Sequence, residues 1–88
     1  MAKWNSEAEA RQQILEMVGE YYRDFKQNKK EFAPGDRITY ASRVFDEKEM
    51  QSLVDSALDF WLTTGRYADQ FEKEFAQWIG VKYAHLVN

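Results

Sequence analysis

The stretch TTGRYADQFEKEFAQWIGVKYAHLVN, from Thr63 to Asn88, contains the pattern that decides the fold. Its first apolar side chains, at positions 67, 71, 75, 78 and 79, recur at helical spacing, and Gly80 suits the left-handed position that ends a helix. A second apolar run follows Gly80 and consists of Val81, Tyr83, Ala84, Leu86 and Val87. The stretch therefore predicts a helix over about 66–79 and a short buried strand over about 82–87.

A buried strand needs neighbouring strands and covered faces, and the remaining sequence shows no sheet pattern of that kind. We therefore expect the 88 residues to be a single N-terminal segment of a larger α/β fold, with the last apolar run entering a sheet. The segment itself is expected to be mainly α, with three amphipathic helices and the C-terminal strand.

The first helix is predicted over about 5–28, where apolar residues recur at 4, 8, 15, 18, 22 and 25. Ser6 and Glu9 have the spacing of a capping box at its start. The basic residues Lys26, Lys29 and Lys30 lie near its end, where cations interact favourably with the helix carbonyls. We interpret them as charges that stabilise the helix end rather than as a phosphate site.

A linker is predicted over about 29–45, because Pro34-Gly35 suits the central positions of a type II turn. The next helix is predicted over about 46–62. Asp46 and Glu49 mark its start, and Phe45 is placed to pack on Met50 as a hydrophobic staple.

Composition restricts the function further. The chain has 15 acidic and 12 basic residues with the two signs interleaved, which argues against nucleic acid as the main partner. It has no cysteine, and no segment approaches the roughly 18 apolar residues of a membrane span. A cytoplasmic protein without a membrane partner is expected. The chain has three Trp, five Tyr and six Phe, and their rings have more apolar surface than so short a chain is expected to bury. Self-association through exposed aromatic faces is therefore also expected.

The sequence offers few residues for catalysis. The one histidine, His85, lies in the terminal apolar run with no second ligand at metal-binding spacing, so a structural role is expected and no metal site. The four glycines are too far apart to form a Gly-rich phosphate loop. No catalytic residue is predicted.

The turn Thr63-Thr64-Gly65-Arg66-Tyr67 has the best chemistry for binding a ligand. Glycine permits close backbone approach, hydroxyls donate hydrogen bonds, arginine holds phosphate, and tyrosine stacks on a sugar or base. The same residue types also suit an ordinary bend between two helices.

Three stretches resemble one enzyme family: ITYASRVFDEKE (38–49), LVDSALDFWLTTGRY (53–67) and FEKEFAQWIGVKYAHLVN (71–88). They are similar to the start of the DegT/DnrJ/EryC1/StrS sugar aminotransferase/dehydratase family. The F-E-x-x-F-A and V-x-Y portions are shared across that family. The D-F-W-L-T-x-G-R-Y portion is typical of a narrower group within the family. It resembles the CDP-4-keto-6-deoxyglucose 3-dehydrase type of lipopolysaccharide biosynthesis.

The resemblance implies a fold-type I pyridoxal-phosphate (PLP) transferase fold and a homodimeric parent enzyme that acts on a sugar nucleotide. It implies pyridoxal or pyridoxamine phosphate (PLP or PMP) as the cofactor of the full-length protein. In the 3-dehydrase type a histidine replaces the Schiff-base lysine, and an iron–sulfur cluster supplies electrons with a partner reductase. His85 does not match that histidine. We expect no cofactor in this chain and no activity from it alone.

The resemblance assigns site residues only at positions of this chain that match the family's pattern. The resemblance implies that six residues face the sugar nucleotide or a subunit interface: Tyr40, Arg43, Thr64, Gly65, Arg66 and Tyr67. Two other interpretations stay open. In the first, the chain is a complete helical module that binds another protein through its aromatic face. In the second, it is a small-ligand module that uses Arg43 and Arg66 to bind an anionic group.

Overall fold

A computed structural model describes residues 3–28 and 31–87 of the chain. Within these residues the α-helices are α1 (Glu7–Tyr21), α2 (Glu47–Asp59) and α3 (Arg66–Ile79), and a π-helical turn (Tyr22–Lys26) follows α1. The prediction of a mainly α chain with three helices is confirmed. The chain divides into a first unit that ends at Leu58 and a second that begins at Asp59, and each is described by itself.

The start of α1 has the capping chemistry that the sequence predicts. The Ser6 hydroxyl accepts a hydrogen bond from the Glu9 amide at 3.1 Å. The Glu9 carboxylate accepts from the Asn5 amide at 3.0 Å, one residue before the cap. Two of the amides at this end, which have no partner within the helix, are thereby satisfied.

The end of α1 differs from the prediction of a regular helix to about residue 28. From Tyr22 to Lys26 the backbone widens into a π turn, and the Gln27 amide donates to the Tyr22 carbonyl at 2.8 Å. Lys26 lies in the last turn, where its charge favours the helix carbonyls as predicted. The other two residues of the basic cluster, Lys29 and Lys30, lie outside the described residues.

Polar side chains join α1 and α2 within the first unit. Arg11 donates from one terminal nitrogen to the Asp55 carboxylate at 2.7 Å and to the Asp55 carbonyl at 2.8 Å. The Gln51 amide donates to the Leu15 carbonyl at 2.9 Å. Tyr22 is 7% exposed and is one of the few buried apolar residues of the described chain. Most residues of the predicted apolar stripe of α1 are half-buried or exposed. The hydrogen bonds of Arg11 and Gln51 connect the two helices.

The linker contains the predicted turn. The Asp36 amide donates to the Ala33 carbonyl at 3.0 Å, and Gly35 has a φ of 94°, as the third position of a type II turn requires. No strand or helix interrupts the described residues between this turn and α2.

The start of α2 is a reciprocal capping arrangement, as predicted. The Asp46 carboxylate accepts from the Lys48 amide at 2.8 Å, and the Glu49 carboxylate accepts from the Asp46 amide at 3.0 Å. A hydrogen bond with the Glu49 side chain, and then the one from the Lys48 amide, lower the pKa of the Asp46 carboxyl from its ordinary value. Phe45 also meets the buried Tyr22 edge to face, with ring centroids 5.9 Å apart.

The second unit contains α3 and the segment that follows it. Phe71, Phe75 and Trp78 form a row of rings along α3, with centroids 5.3 and 6.4 Å apart. All three are exposed, so the apolar face predicted for this helix is not covered within the unit.

The predicted strand over 82–87 is wrong for the described residues, which contain no strand. A strand is defined by a row of hydrogen bonds to a neighbouring strand. The one regular element described in this unit is α3, and a helix pairs most of its own amides and carbonyls internally. The segment instead makes a side-chain contact, in which the Leu86 amide donates to Glu72 at 2.8 Å.

Candidate functional site

The turn between α2 and α3 lies in the second unit and begins with an unusual backbone. Phe60 has a φ of 48°, the left-handed region that a bulky residue adopts at a cost of roughly 1–2 kcal/mol. This conformation ends α2 directly after Asp59. The Phe60 ring remains 76% exposed, so burial of the ring does not offset that cost.

The close approach of the Trp61 side chain to the backbone explains why this turn has a glycine at position 65. A Cβ atom built on Gly65 would lie 3.2 Å from Cδ1 of Trp61, which is tighter than ordinary van der Waals contact. Gly65 is also the residue before α3, and its carbonyl accepts from the Asp69 amide at 3.1 Å. The small residue therefore lets Trp61 lie against the backbone at the start of α3.

Arg66 is held by two neighbours. Its Nε donates to the Asp59 carboxylate at 2.7 Å, and its Cζ lies 4.6 Å from the centre of the Tyr67 ring. The Arg66 side chain is half exposed. Stacking and a charged hydrogen bond together give the guanidinium a defined orientation at the first turn of α3.

The chemistry of this turn suits an anionic, sugar-bearing ligand. A guanidinium group binds phosphate in a fixed plane, and a tyrosine ring offers a face for a sugar or a base. Thr63 and Thr64 are exposed and carry hydroxyls that donate and accept hydrogen bonds. The amide groups of the first turn of a helix also favour anions.

The structure places the six predicted site residues in two groups. Thr64, Gly65, Arg66 and Tyr67 lie together at the start of α3. Tyr40 and Arg43 belong to the first unit, where Tyr40 is fully exposed. Arg43 lines a shallow groove whose other residues are Val44, Phe45, Glu49, Met50 and Leu53.

Sequence reasoning missed Asp59 and Trp61, which position the turn. A signal for Asp59 was present. An acidic residue at the end of a helix and a basic residue at the start of the next are both unfavourable for the helix dipoles. Asp59 and Arg66 occupy those two places, and pairing with each other removes both penalties.

The donor groups of the described residues do not fit a resident metal or PLP. They include no group of three or more His, Cys, Asp or Glu residues that could hold a metal ion. They also include no buried polar or charged side chain, whereas a cofactor phosphate and ring nitrogen need such partners held in a dry site. No cofactor-dependent step is therefore assigned to residues 3–28 or 31–87.

None of the described helices is both long and apolar enough to cross a membrane. The cytoplasmic location and the absence of a nucleic-acid partner stay predictions.

Comparison with known proteins gives a family match in the part of the chain that contains the turn. Residues 44–88 match the model of the DegT/DnrJ/EryC1/StrS aminotransferase family. The match includes Thr64 to Tyr67 and begins just after Arg43. No solved structure is similar enough to this chain to count as a match.

Curated relatives are similar over a longer stretch. The chain is 37% identical over 73 residues to the lipopolysaccharide biosynthesis protein RfbH of Salmonella typhimurium strain LT2, which covers 83% of this chain and 17% of that protein. It is 37% identical over 81 residues to dTDP-4-dehydro-2,6-dideoxy-D-glucose 3-dehydratase of Saccharopolyspora spinosa, or 91% of this chain and 17% of the relative.

A third relative is named as a transaminase. The UDP-4-amino-4,6-dideoxy-N-acetyl-beta-L-altrosamine transaminase of Campylobacter jejuni strain 81-176 is 35% identical over 51 residues, 58% of this chain and 14% of that protein. The chain thus spans about a sixth of the length of the first two relatives. The comparisons favour an enzyme family over the protein-binding module that the sequence left open.

Proposed function

Because this chain belongs to the DegT/DnrJ/EryC1/StrS aminotransferase family, we propose that it is the N-terminal portion of an enzyme that acts on a nucleotide-linked deoxysugar. The reaction is a 3-dehydration or an amine transfer in lipopolysaccharide O-antigen or related deoxysugar biosynthesis. The family match over residues 44–88 is the observation that carries this proposal. The name of the Saccharopolyspora relative supports dehydration, and that of the Campylobacter relative supports amine transfer.

The turn from Thr64 to Tyr67 contributes to binding of the sugar nucleotide. Arg66 pairs with the diphosphate, since its guanidinium is oriented by Asp59 and by the Tyr67 ring. The Tyr67 ring packs on the sugar, and the Thr64 hydroxyl donates to the sugar or the phosphate. Gly65 keeps the backbone close to Trp61 and so fixes the start of α3.

Tyr40 and Arg43 have a second role in this proposal. Both are exposed residues of the first unit, and they face either a sugar nucleotide or the other subunit of a homodimer. The groove beside Arg43 contains Phe45, Met50 and Leu53, an apolar surface that suits a subunit interface better than a nucleotide.

PLP or PMP is the cofactor of the full-length enzyme in this proposal. When bound, it supplies the electron sink on which this family's chemistry depends. None of the described polar or charged side chains is buried, so we expect the groups that hold the cofactor to lie elsewhere in the enzyme. We therefore expect the 88 residues alone to have neither dehydratase nor transaminase activity.

Ligand titration of the chain tests the role of the turn. We expect dTDP-glucose or CDP-glucose to shift the backbone NMR signals of residues 63–67 in a saturable way, with weak affinity because one turn supplies the contacts. Arg66→Gln should lower that affinity by roughly tenfold or more, as loss of a charged hydrogen bond does. Arg37→Gln, which removes an exposed arginine of the first unit, is the matched control and should have no such effect.

Two outcomes would contradict the proposal. Signals of residues 63–67 that do not respond to either nucleotide sugar would remove the turn from the binding site. A saturable change in the absorbance of pyridoxal phosphate on addition of the chain would show that these residues hold the cofactor after all.

A further inference from the structure

The segment after α3 turns back along the helix that it leaves. Gly80 has a φ of 88°, and the amides of Gly80 and Val81 both donate to the Ala76 carbonyl, at 2.9 and 3.0 Å. Further along, the Leu86 amide donates to Oε2 of Glu72 at 2.8 Å. The segment 81–87 is thus attached to α3 at both of its ends.

The attachment at Glu72 is a charged hydrogen bond between residues far apart in the sequence. The Glu72 side chain is 29% exposed, so water competes for its oxygen less than it does at a fully exposed carboxylate. Glu72 is the first of the two glutamates of the FEKEFA stretch, and Ala76 is the alanine that ends it. Two residues of that motif therefore hold the segment that follows it.

His85 lies beside the same carboxylate oxygen. Its Nδ1 is 4.0 Å from Glu72 Oε2, which is too long for a hydrogen bond, and the imidazole is 82% exposed. The Leu86 amide, at 2.8 Å, makes the closer contact with this oxygen.

We propose that Glu72 is a positioning residue that holds residues 81–87 against α3. The proposal goes beyond the proposed function, because it concerns the conformation of this segment whatever reaction the enzyme carries out. It assigns a role to the first glutamate of FEKEFA: this residue fixes where the chain runs after α3.

Hydrogen exchange of single amides, measured by NMR on the full chain, tests this role. Glu72→Ala should reduce protection of the Leu86 amide to that of the neighbouring Val87 amide. Glu72→Gln should retain part of the protection, because its amide oxygen still accepts. His85→Asn should leave the protection unchanged, because Nδ1 of His85 is too far from Glu72 for a hydrogen bond.

A glutamate of the same helix provides the matched control. Glu74 accepts from Gln70 at 3.3 Å, so Glu74→Ala should leave Leu86 unchanged. Exchange of the α3 amides in the same spectra shows whether each variant is still folded. Equal Leu86 protection in the wild type and Glu72→Ala would overturn the positioning role. Loss of that protection in His85→Asn would also overturn it, because the imidazole rather than Glu72 would then hold the segment.

Discussion

Phe60 shows how one residue sets the path of the chain between α2 and α3. Its left-handed backbone is the one positive φ found at a non-glycine position in the described residues. Strain of this kind is retained where the surrounding structure requires it, and it is frequent near binding sites. Here it directly follows Asp59 and precedes Trp61, the two residues that position Arg66 and Gly65.

The strain at Phe60 predicts an unusual order of stability among variants. Phe60→Gly and Phe60→Ala both remove the exposed ring, but the glycine variant alone relieves the left-handed backbone. We expect the glycine variant to have a free energy of unfolding about 1 kcal/mol higher than the alanine variant. Urea unfolding followed by far-UV circular dichroism measures the difference.

The substitution Gly80→Ala is the control, because it places a side chain on a backbone with positive φ instead of removing one. The φ of Gly80 is 88°, so Gly80→Ala should lower the free energy of unfolding by about 1 kcal/mol relative to the wild type. An alanine at position 60 that is as stable as a glycine would show that the backbone there relaxes out of the left-handed region.

At the scale of the elements, helix ends were the features best predicted from sequence. Ser6, Asp46 and Gly80 act on amides or carbonyls within a few residues, so the local sequence contains all the information that is needed. The π turn after Tyr21 was not predictable, because apolar spacing does not reveal one extra residue in a turn.

Features that depend on distant partners were predicted less well. The segment 82–87 has the composition of a strand, but strand formation depends on a neighbouring strand, and the segment contacts Glu72 instead. In the candidate site, the ligand-binding chemistry of Thr64 to Tyr67 was predicted from the residue types alone. The contact of Asp59 with Arg66 was missed because seven residues of the sequence separate them, and the spacing of residue types does not show how the turn between them folds.

The start of α2 predicts a pH effect on stability. The pKa of Asp46 is lower in the folded chain than its ordinary value, through Glu49 and the Lys48 amide. Its charged form therefore stabilises the fold above about pH 4, the ordinary range of an aspartate, and the stabilisation is lost as the pH falls below it.

Asp46→Asn should reduce this loss, because asparagine still caps the helix and carries no titrating charge. We expect the unfolding free energy of the variant to fall less than that of the wild type between pH 5 and pH 3, as measured by urea unfolding. Ser52→Ala, an exposed change in the same helix, controls for substitution itself. Parallel curves for the wild type and Asp46→Asn would contradict the prediction.

At the scale of the whole molecule, each of the two units exposes large apolar side chains. Leu53 of the first unit is 72% exposed, and Trp78 of the second is 83% exposed. Apolar surface of this extent is typical of faces that another protein surface covers.

We therefore expect the chain to associate with itself, with the row of rings on α3 as one of the contacting surfaces. Light scattering at concentrations from about 10 to 500 μM should show an apparent mass that rises above 10.5 kDa, because buried aromatic area favours association. Trp78→Lys should weaken the association, since it places a charge within that row, whereas Gln77→Lys, an exposed polar neighbour, should not. Binding of a hydrophobic dye should decrease in the same order. A strict monomer at every concentration, with no dye binding, would mean that the apolar surface is covered within one chain in solution.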